Sequence, residues 1–156
     1  MNASRRKALK GTGGAAVLGL AMAAGLFRPG TTWAAEWNKA AFDTKSLNDA
    51  VKAMGGAGAA ESKDITITSP DIAENGAVVP FTIASKVPNT AAIAILVEKN
   101  PNILAANFDI PQGTEPWVST RVKMGQTSNV IALVKADGKY YYTSKEVKVT
   151  LGGCGG

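Results

Sequence analysis

The sequence predicts an all-β protein, an immunoglobulin-like antiparallel β-sandwich with an N-terminal helix and a flexible glycine-rich C-terminal arm. Seven short stretches read as strands, most of them with the period of two that lets a strand bury one face. Turn residues separate them about every 8 to 15 positions over roughly 95 residues, the spacing of a sandwich. No helix-length pattern alternates with the strands, so a parallel nucleotide-binding sheet is not expected.

In chain order, the segment from Trp37 to Met54 puts Leu47, Val51 and Met54 on one helical face, which predicts one amphipathic helix. Asp43 or Thr44 is its expected N-cap and Gly55-Gly56 its terminator. The following GGAGAAE reads as a flexible connector ending at Glu61. Strands are expected over 64–69, 77–86, 91–98, 103–109, 117–123, 130–136 and 140–151. Asn75-Gly76, Pro88-Asn89, Asn100-Pro101-Asn102, Pro111-Gln112-Gly113 and Asp137-Gly138 supply the turns. Asp137-Gly138 is the strongest hairpin signal, because a type I′ turn needs positive φ at both centres. The run AAIAILVE is apolar on both faces, which fits either a central strand covered on both sides or part of a subunit interface. An open sandwich of this kind must also cover its edges or pair them with a partner.

The charge has a location. Of seventeen basic residues, Arg5, Arg6, Lys7, Lys10 and Arg28 lie in the first 34, where there is no acid. The other twelve balance the twelve acidic residues. A neutral body without interleaved bases and aromatics carries no footprint for nucleic acid. The basic tract is followed by an apolar Gly/Ala-rich stretch from about Gly13 to Phe27 and then by small residues, the pattern of an export signal with cleavage expected after Ala34. That stretch is shorter than the roughly 20 residues of a membrane span, so no stable membrane anchor is expected. Ser4-Arg5-Arg6-Lys7-Ala8-Leu9-Lys10 resembles the twin-arginine motif except at Ala8, where Phe is more usual.

The chain has no His and one Cys. Catalytic triads, Cys-His pairs, histidine zinc sites, CxxC couples and CxxCH haem attachment therefore lack parts. No catalytic residue, cofactor or metal site is expected. Cys154 has no partner for an intrachain disulfide, which leaves pairing with another chain or a free reactive thiol.

Cys154 sits in Gly152-Gly153-Cys154-Gly155-Gly156, directly after the last expected strand. Four glycines resist packing into an ordered element because of their backbone entropy, so a mobile arm is expected. Extended, five residues span roughly 17 Å, and glycines have no side chains to obstruct entry into a narrow cleft. Nothing near in sequence would move the thiol far from an ordinary pKa. It is a poor catalyst alone and a good handle for chemistry supplied by another protein. The competing reading is an exported sandwich-type interaction protein whose Cys154 forms an intermolecular disulfide.

Taken whole, the sequence resembles the SoxY family, the sulfur-carrier subunit of the Sox thiosulfate-oxidising system. The resemblance rests on the twin-arginine leader, on Pro70-Asp71-Ile72-Ala73-Glu74-Asn75-Gly76 followed by Val79-Pro80, and on Lys99-Asn100-Pro101. It extends through Thr120-Arg121-Val122-Lys123-Met124 and is most specific at Val147-Lys148-Val149-Thr150 leading to GGCGG. It implies an immunoglobulin-type sandwich forming a heterodimer with a SoxZ-like subunit, in the periplasm. It also implies that Cys154 is joined oxidatively to thiosulfate by a c-type cytochrome enzyme, giving a cysteine S-thiosulfonate. A thiosulfohydrolase then releases sulfate, and a sulfur dehydrogenase or other acceptor handles the sulfane sulfur. On this reading the chain is a substrate carrier and not an enzyme.

The expected organisation is a twin-arginine signal peptide at 1–34, helix and linker at 35–61, the sandwich at 62–151 and the carrier arm at 152–156. Arg121 is read as a structural or interface ion-pair residue, and Glu74 as a turn or interface residue. Tyr140, Tyr141 and Tyr142 are expected to alternate between the core and solvent or a partner.

Overall fold

In the computed structural model, which describes residues 38–150, the apolar run after Thr90 is an interior strand of the larger of two sheets, flanked by neighbours on both sides. Nine strands form: β1 Ala59–Glu61, β2 Ile65–Thr68, β3 Ile72–Ala73, β4 Val79–Ser85, β5 Thr90–Val97, β6 Leu104–Asp109, β7 Trp117–Val122, β8 Ser128–Ala136 and β9 Lys139–Val149. The large sheet runs β1-β9-β8-β5-β6, with β3 also on β9, and the small sheet runs β2-β4-β7. The fold is the expected β-sandwich.

The two faces of β5 explain its composition. Ile93, Ile95 and Val97 point between the sheets, where they pack with Phe81, Ile83, Val130, Val134 and Val147. Ala94 and Leu96 point the other way, onto a second core with Ala50, Val51, Ile131 and Leu133. Strand β5 is thus an interior strand covered on both faces, the first of the two readings its sequence allows. Each fully buried large aliphatic side chain contributes about 1.5–3 kcal/mol over the exposed state.

The outer core is covered by two short helices, where the sequence predicts one. Helix α1 is Lys39–Phe42 and helix α2 is Leu47–Ala53. The break has a local cause. Thr44 Oγ1 donates to the Ala41 carbonyl at 2.6 Å, ending α1, and Ser46 turns extended to cap α2 by accepting from the Asp49 N–H. The N-cap is therefore Ser46, in place of the expected Asp43 or Thr44. Gly55, at φ +85°, ends α2 as expected: its N–H reaches Lys52 O and that of Gly56 reaches Val51 O, which is a Schellman closure. Gly56 is required for contact as well, because a Cβ there would lie 2.5 Å from the Tyr140 ring.

Two strands were not expected. Ala59–Glu61, read as flexible connector, pairs in parallel with Tyr140–Tyr142, and Ile72–Ala73 pairs in parallel with Lys148–Val149. Both lie on the β9 edge left open by β8, which answers the edge problem for that strand. The β8–β9 hairpin turns at Asp137 and Gly138, with φ +49° and +72°, as a type I′ turn requires. The tyrosines alternate: Tyr140, buried, and Tyr142 pack with the helix-side core and Tyr141 against the inter-sheet core, Tyr141 and Tyr142 remaining partly open to solvent.

Candidate functional site: the root of the GGCGG segment

Cys154 and its neighbours Gly152, Gly153, Gly155 and Gly156 lie outside the described residues. The geometry that bears on them is that of the strand leading into them, β9 and Thr150. One edge of β9 is laddered to β8 from Ala136↔Lys139 through Ser128↔Val147, and beyond that ladder the Val149 N–H donates to Thr127 Oγ1 at 2.9 Å. On the opposite edge, the Lys148 N–H reaches Asp71 O at 2.9 Å and the Thr150 N–H reaches Ala73 O at 3.1 Å. Consecutive residues 148, 149 and 150 are thereby bonded to alternate sides. This fixes the backbone direction four residues before the cysteine.

A side-chain clamp lies just upstream. Lys145 Nζ donates to Ser69 O at 2.7 Å and pairs with Asp71 Oδ1 at 2.9 Å, anchoring the segment that carries β3. The lysine's hydrogen bond, and then its charge, hold the Asp71 carboxyl below the ordinary aspartate range. Asn75-Gly76 forms the turn that follows: Asn75 Oδ1 accepts from the Ala77 N–H, and the Gly76 carbonyl accepts from the Met124 N–H at 2.7 Å. Gly76 is packed too closely for a side chain, since a Cβ would stand 2.5 Å from the Met124 carbonyl oxygen and 2.8 Å from Val149 Cγ1. Around this root Ile72 and Val78 are exposed by 57% and 49%, an apolar rim flanking the exit of the chain.

The sequence reading missed Asp71, Thr127 and Lys145 as the residues that hold the root. The only signal was the clustering of Pro70, Asn75 and Gly76, because a two-residue strand is too short to show a period. Glu74 lies in the turn as expected and is exposed. Arg121 makes no ion pair among the described residues, contrary to a structural salt bridge; its side chain is exposed on β7.

Elsewhere, a pocket of about 170 Å³ opens between α1 and the large sheet, with Asn107, Asp109, Lys135 and Tyr140 at its wall. Tyr140 Oη is already engaged there, donating to Met54 O at 2.6 Å. Among the described residues there is no group of three His, Cys, Asp or Glu side chains placed to hold a metal. No helix among them is long and apolar enough to cross a membrane.

The class is thus a helix-covered, immunoglobulin-like β-sandwich whose last strand is pinned on both edges where it runs toward a Gly-Gly-Cys-Gly-Gly sequence. A family model described as sulfur oxidation protein SoxY matches residues 51–154. Among solved structures, the chain is similar to the sulfur carrier protein SoxY from Chlorobium limicola f thiosulfatophilum, with 40% identity and a TM-score of 0.60. That similarity covers 67% of this chain and 96% of the other. No curated protein matches. The chain belongs to the SoxY family.

Proposed function

We propose that this chain is a sulfur carrier of a thiosulfate-oxidising system and that Cys154 is the atom-bearing site. The observation that carries this reading is the family match, which extends to residue 154 and so takes in the cysteine together with its strand root. The solved relative is itself titled a sulfur carrier protein.

The proposed chemistry balances as follows. The Cys154 thiol and thiosulfate join through a new S–S bond, releasing one proton and two electrons, which a c-type cytochrome enzyme accepts. The product is a cysteine S-thiosulfonate. Water then displaces the sulfonate group on a thiosulfohydrolase, giving sulfate, two protons and a persulfide anion on Cys154. A sulfur dehydrogenase or another acceptor takes up that sulfane sulfur. The chain supplies no acid, base or metal to these steps. It keeps the intermediate covalently attached and presents it to successive sites at high effective concentration.

The described geometry supports such presentation. From Thr150, which is bonded to Ala73, four extended residues reach about 14 Å, so a pinned root gives the thiol a defined radius of action. A Gly-flanked cysteine offers partners little but backbone to recognise. Location in the periplasm, export by the twin-arginine route through the 1–34 leader, and a SoxZ-like subunit as heterodimer partner belong to the same proposal.

The test is reconstituted thiosulfate oxidation with Cys154→Ser. The variant should fold and be inactive, and oxidation surviving the substitution would contradict the proposal. A permanent intermolecular disulfide is separated by thiol alkylation under non-reducing conditions: a carrier shows an alkylatable fraction, and a structural lock shows none.

A further inference from the structure

Beneath the helices, two alanines hollow the outer face of the large sheet. Ala92 and Ala94 of β5 share that face by the period of two. Ala92 is paired with Asp109 of β6 on one side and Lys135 of β8 on the other, and Lys135 is paired in turn with Tyr140 of β9. The next row is Asn107, Ala94, Leu133 and Tyr142. A methyl group in the middle of each row, where strands favour bulkier residues, leaves a trough between β6 and β8. Ala41 and Phe42 of α1, with Met54, complete the wall of the resulting cavity of about 170 Å³. At the Ala92 row it carries a carboxylate and an ammonium that do not meet, their Cα atoms two strand spacings or roughly 10 Å apart. Among the described residues the Asp109 side chain has no ion pair or hydrogen bond. Lys135 Nζ has no carboxylate partner there and lies over the Tyr140 ring, 5.7 Å from its centroid. The Asn38 side chain and the Tyr140 hydroxyl are already engaged, by Ala41 N–H and Ala53 O and by Met54 O.

We propose that this cavity binds a free α-amino acid with an aliphatic side chain. Charge complementarity selects the class. The ligand's ammonium donates to the Asp109 carboxylate while its carboxylate accepts from Lys135 Nζ, two charge-assisted bonds that bridge the gap over Ala92. A simple anion would meet Asp109 with like charge, and a simple cation would meet Lys135. The side chain enters the trough over Ala94, against Leu104 and Leu133. Volume bounds its size. A cavity of about 150 Å³ takes a benzene ring, so a side chain of about four carbons fits here, whereas a drug-sized ligand needs roughly 300 Å³ or more. Asp109 is exposed and Lys135 half-buried, so water screens both bonds. The dissociation constant is accordingly on the order of 0.1–1 mM. A ligand held this way touches α1 and the large sheet together and fastens the helical cover to the sheet.

This site is independent of the chemistry of Cys154, and its test removes that residue. In the full mature chain carrying Cys154→Ser, calorimetric titration with L-leucine should show one saturable site, and amide signals should shift at Ala92, Ala94 and Leu133. Two analogues separate the charges from the apolar trough. 4-Methylpentanoate is leucine without its ammonium, and 3-methylbutylamine is leucine without its carboxylate. Each should bind about fivefold or more weakly than leucine. Asp109→Asn should weaken leucine by a similar factor and leave 4-methylpentanoate no weaker. Lys135→Met keeps an apolar stem beside Tyr140, and should weaken leucine while leaving 3-methylbutylamine no weaker. Ala92→Val suits a strand and fills the trough between the two charges, so it should abolish binding with the circular dichroism of the sheet retained. Equal affinity for the three probes, an unchanged leucine affinity in either charge variant, amide shifts confined to another face, or no saturation by about 20 mM would each overturn the proposal.

Discussion

Lys145 Nζ lies 2.9 Å from Asp71 Oδ1, and this contact ties the last strand to the segment that bonds Lys148 and Thr150. The lysine holds the Asp71 pKa below its ordinary 3.8. A carboxylate with a lowered folded pKa stabilises the protein above the unfolded value, and that contribution fades as pH falls through the folded one. Asp71→Asn should therefore lower Tm slightly near pH 7, with a difference that shrinks in high salt and closes as the pH falls through the lowered folded pKa of Asp71. Thermal melts across pH check this, and a gap persisting unchanged in acid would assign the effect elsewhere. The effect is small because Asp71 is exposed.

Gly76 allows β9 to pass close to the loop after β7. Gly76→Ala places a methyl group 2.5 Å from the Met124 carbonyl oxygen, a backbone atom that cannot rotate aside. We expect a loss of about 1–3 kcal/mol in urea denaturation, with faster amide exchange at Lys148 and Thr150. Unchanged stability would show that the turn has room to shift.

The helical cover is tested at Tyr140, whose hydroxyl donates to Met54 O at 2.6 Å and whose ring meets Gly56. Tyr140→Phe should cost about 1 kcal/mol through the lost hydrogen bond. Gly56→Ala should cost more, since its Cβ would overlap the ring and also approach Val51 Cγ1 at 2.7 Å. Chemical denaturation of the two variants gives the order, and the reverse order would refute the packing argument.

How far the sequence was legible depends on period and length. Strand β5 was readable because eight residues without a charge leave few options, and the Asp137-Gly138 turn because its φ requirement names its residues. Helices α1 and α2 read as one, because the apolar spacing of Leu47, Val51 and Met54 does not register Thr44 bonding back to Ala41. Strands β1 and β3 were invisible for another reason. Three and two residues carry no periodicity, and their pairing with β9 is a tertiary event. At the candidate site the cysteine and glycines stood out by composition, while Lys145, Asp71 and Thr127 are ordinary residues until the fold brings them to one root.

If partners admit the arm through a narrow path, bulk beside the cysteine should matter more than bulk elsewhere. Gly153→Val and Gly155→Val should slow transfer in a reconstituted assay while leaving the melting temperature unchanged. Turnover equal to the parent chain would remove steric selection from the account.

The central claim is that Cys154 carries sulfur, and intact mass spectrometry without reductant tests it most directly. The protein is isolated from the periplasm of cells oxidising thiosulfate. The account predicts a chain beginning at Ala35 with a series of adducts on Cys154, matching the S-thiosulfonate and added sulfane sulfur. A bare thiol, or a single protein–protein disulfide under active thiosulfate oxidation, would contradict it.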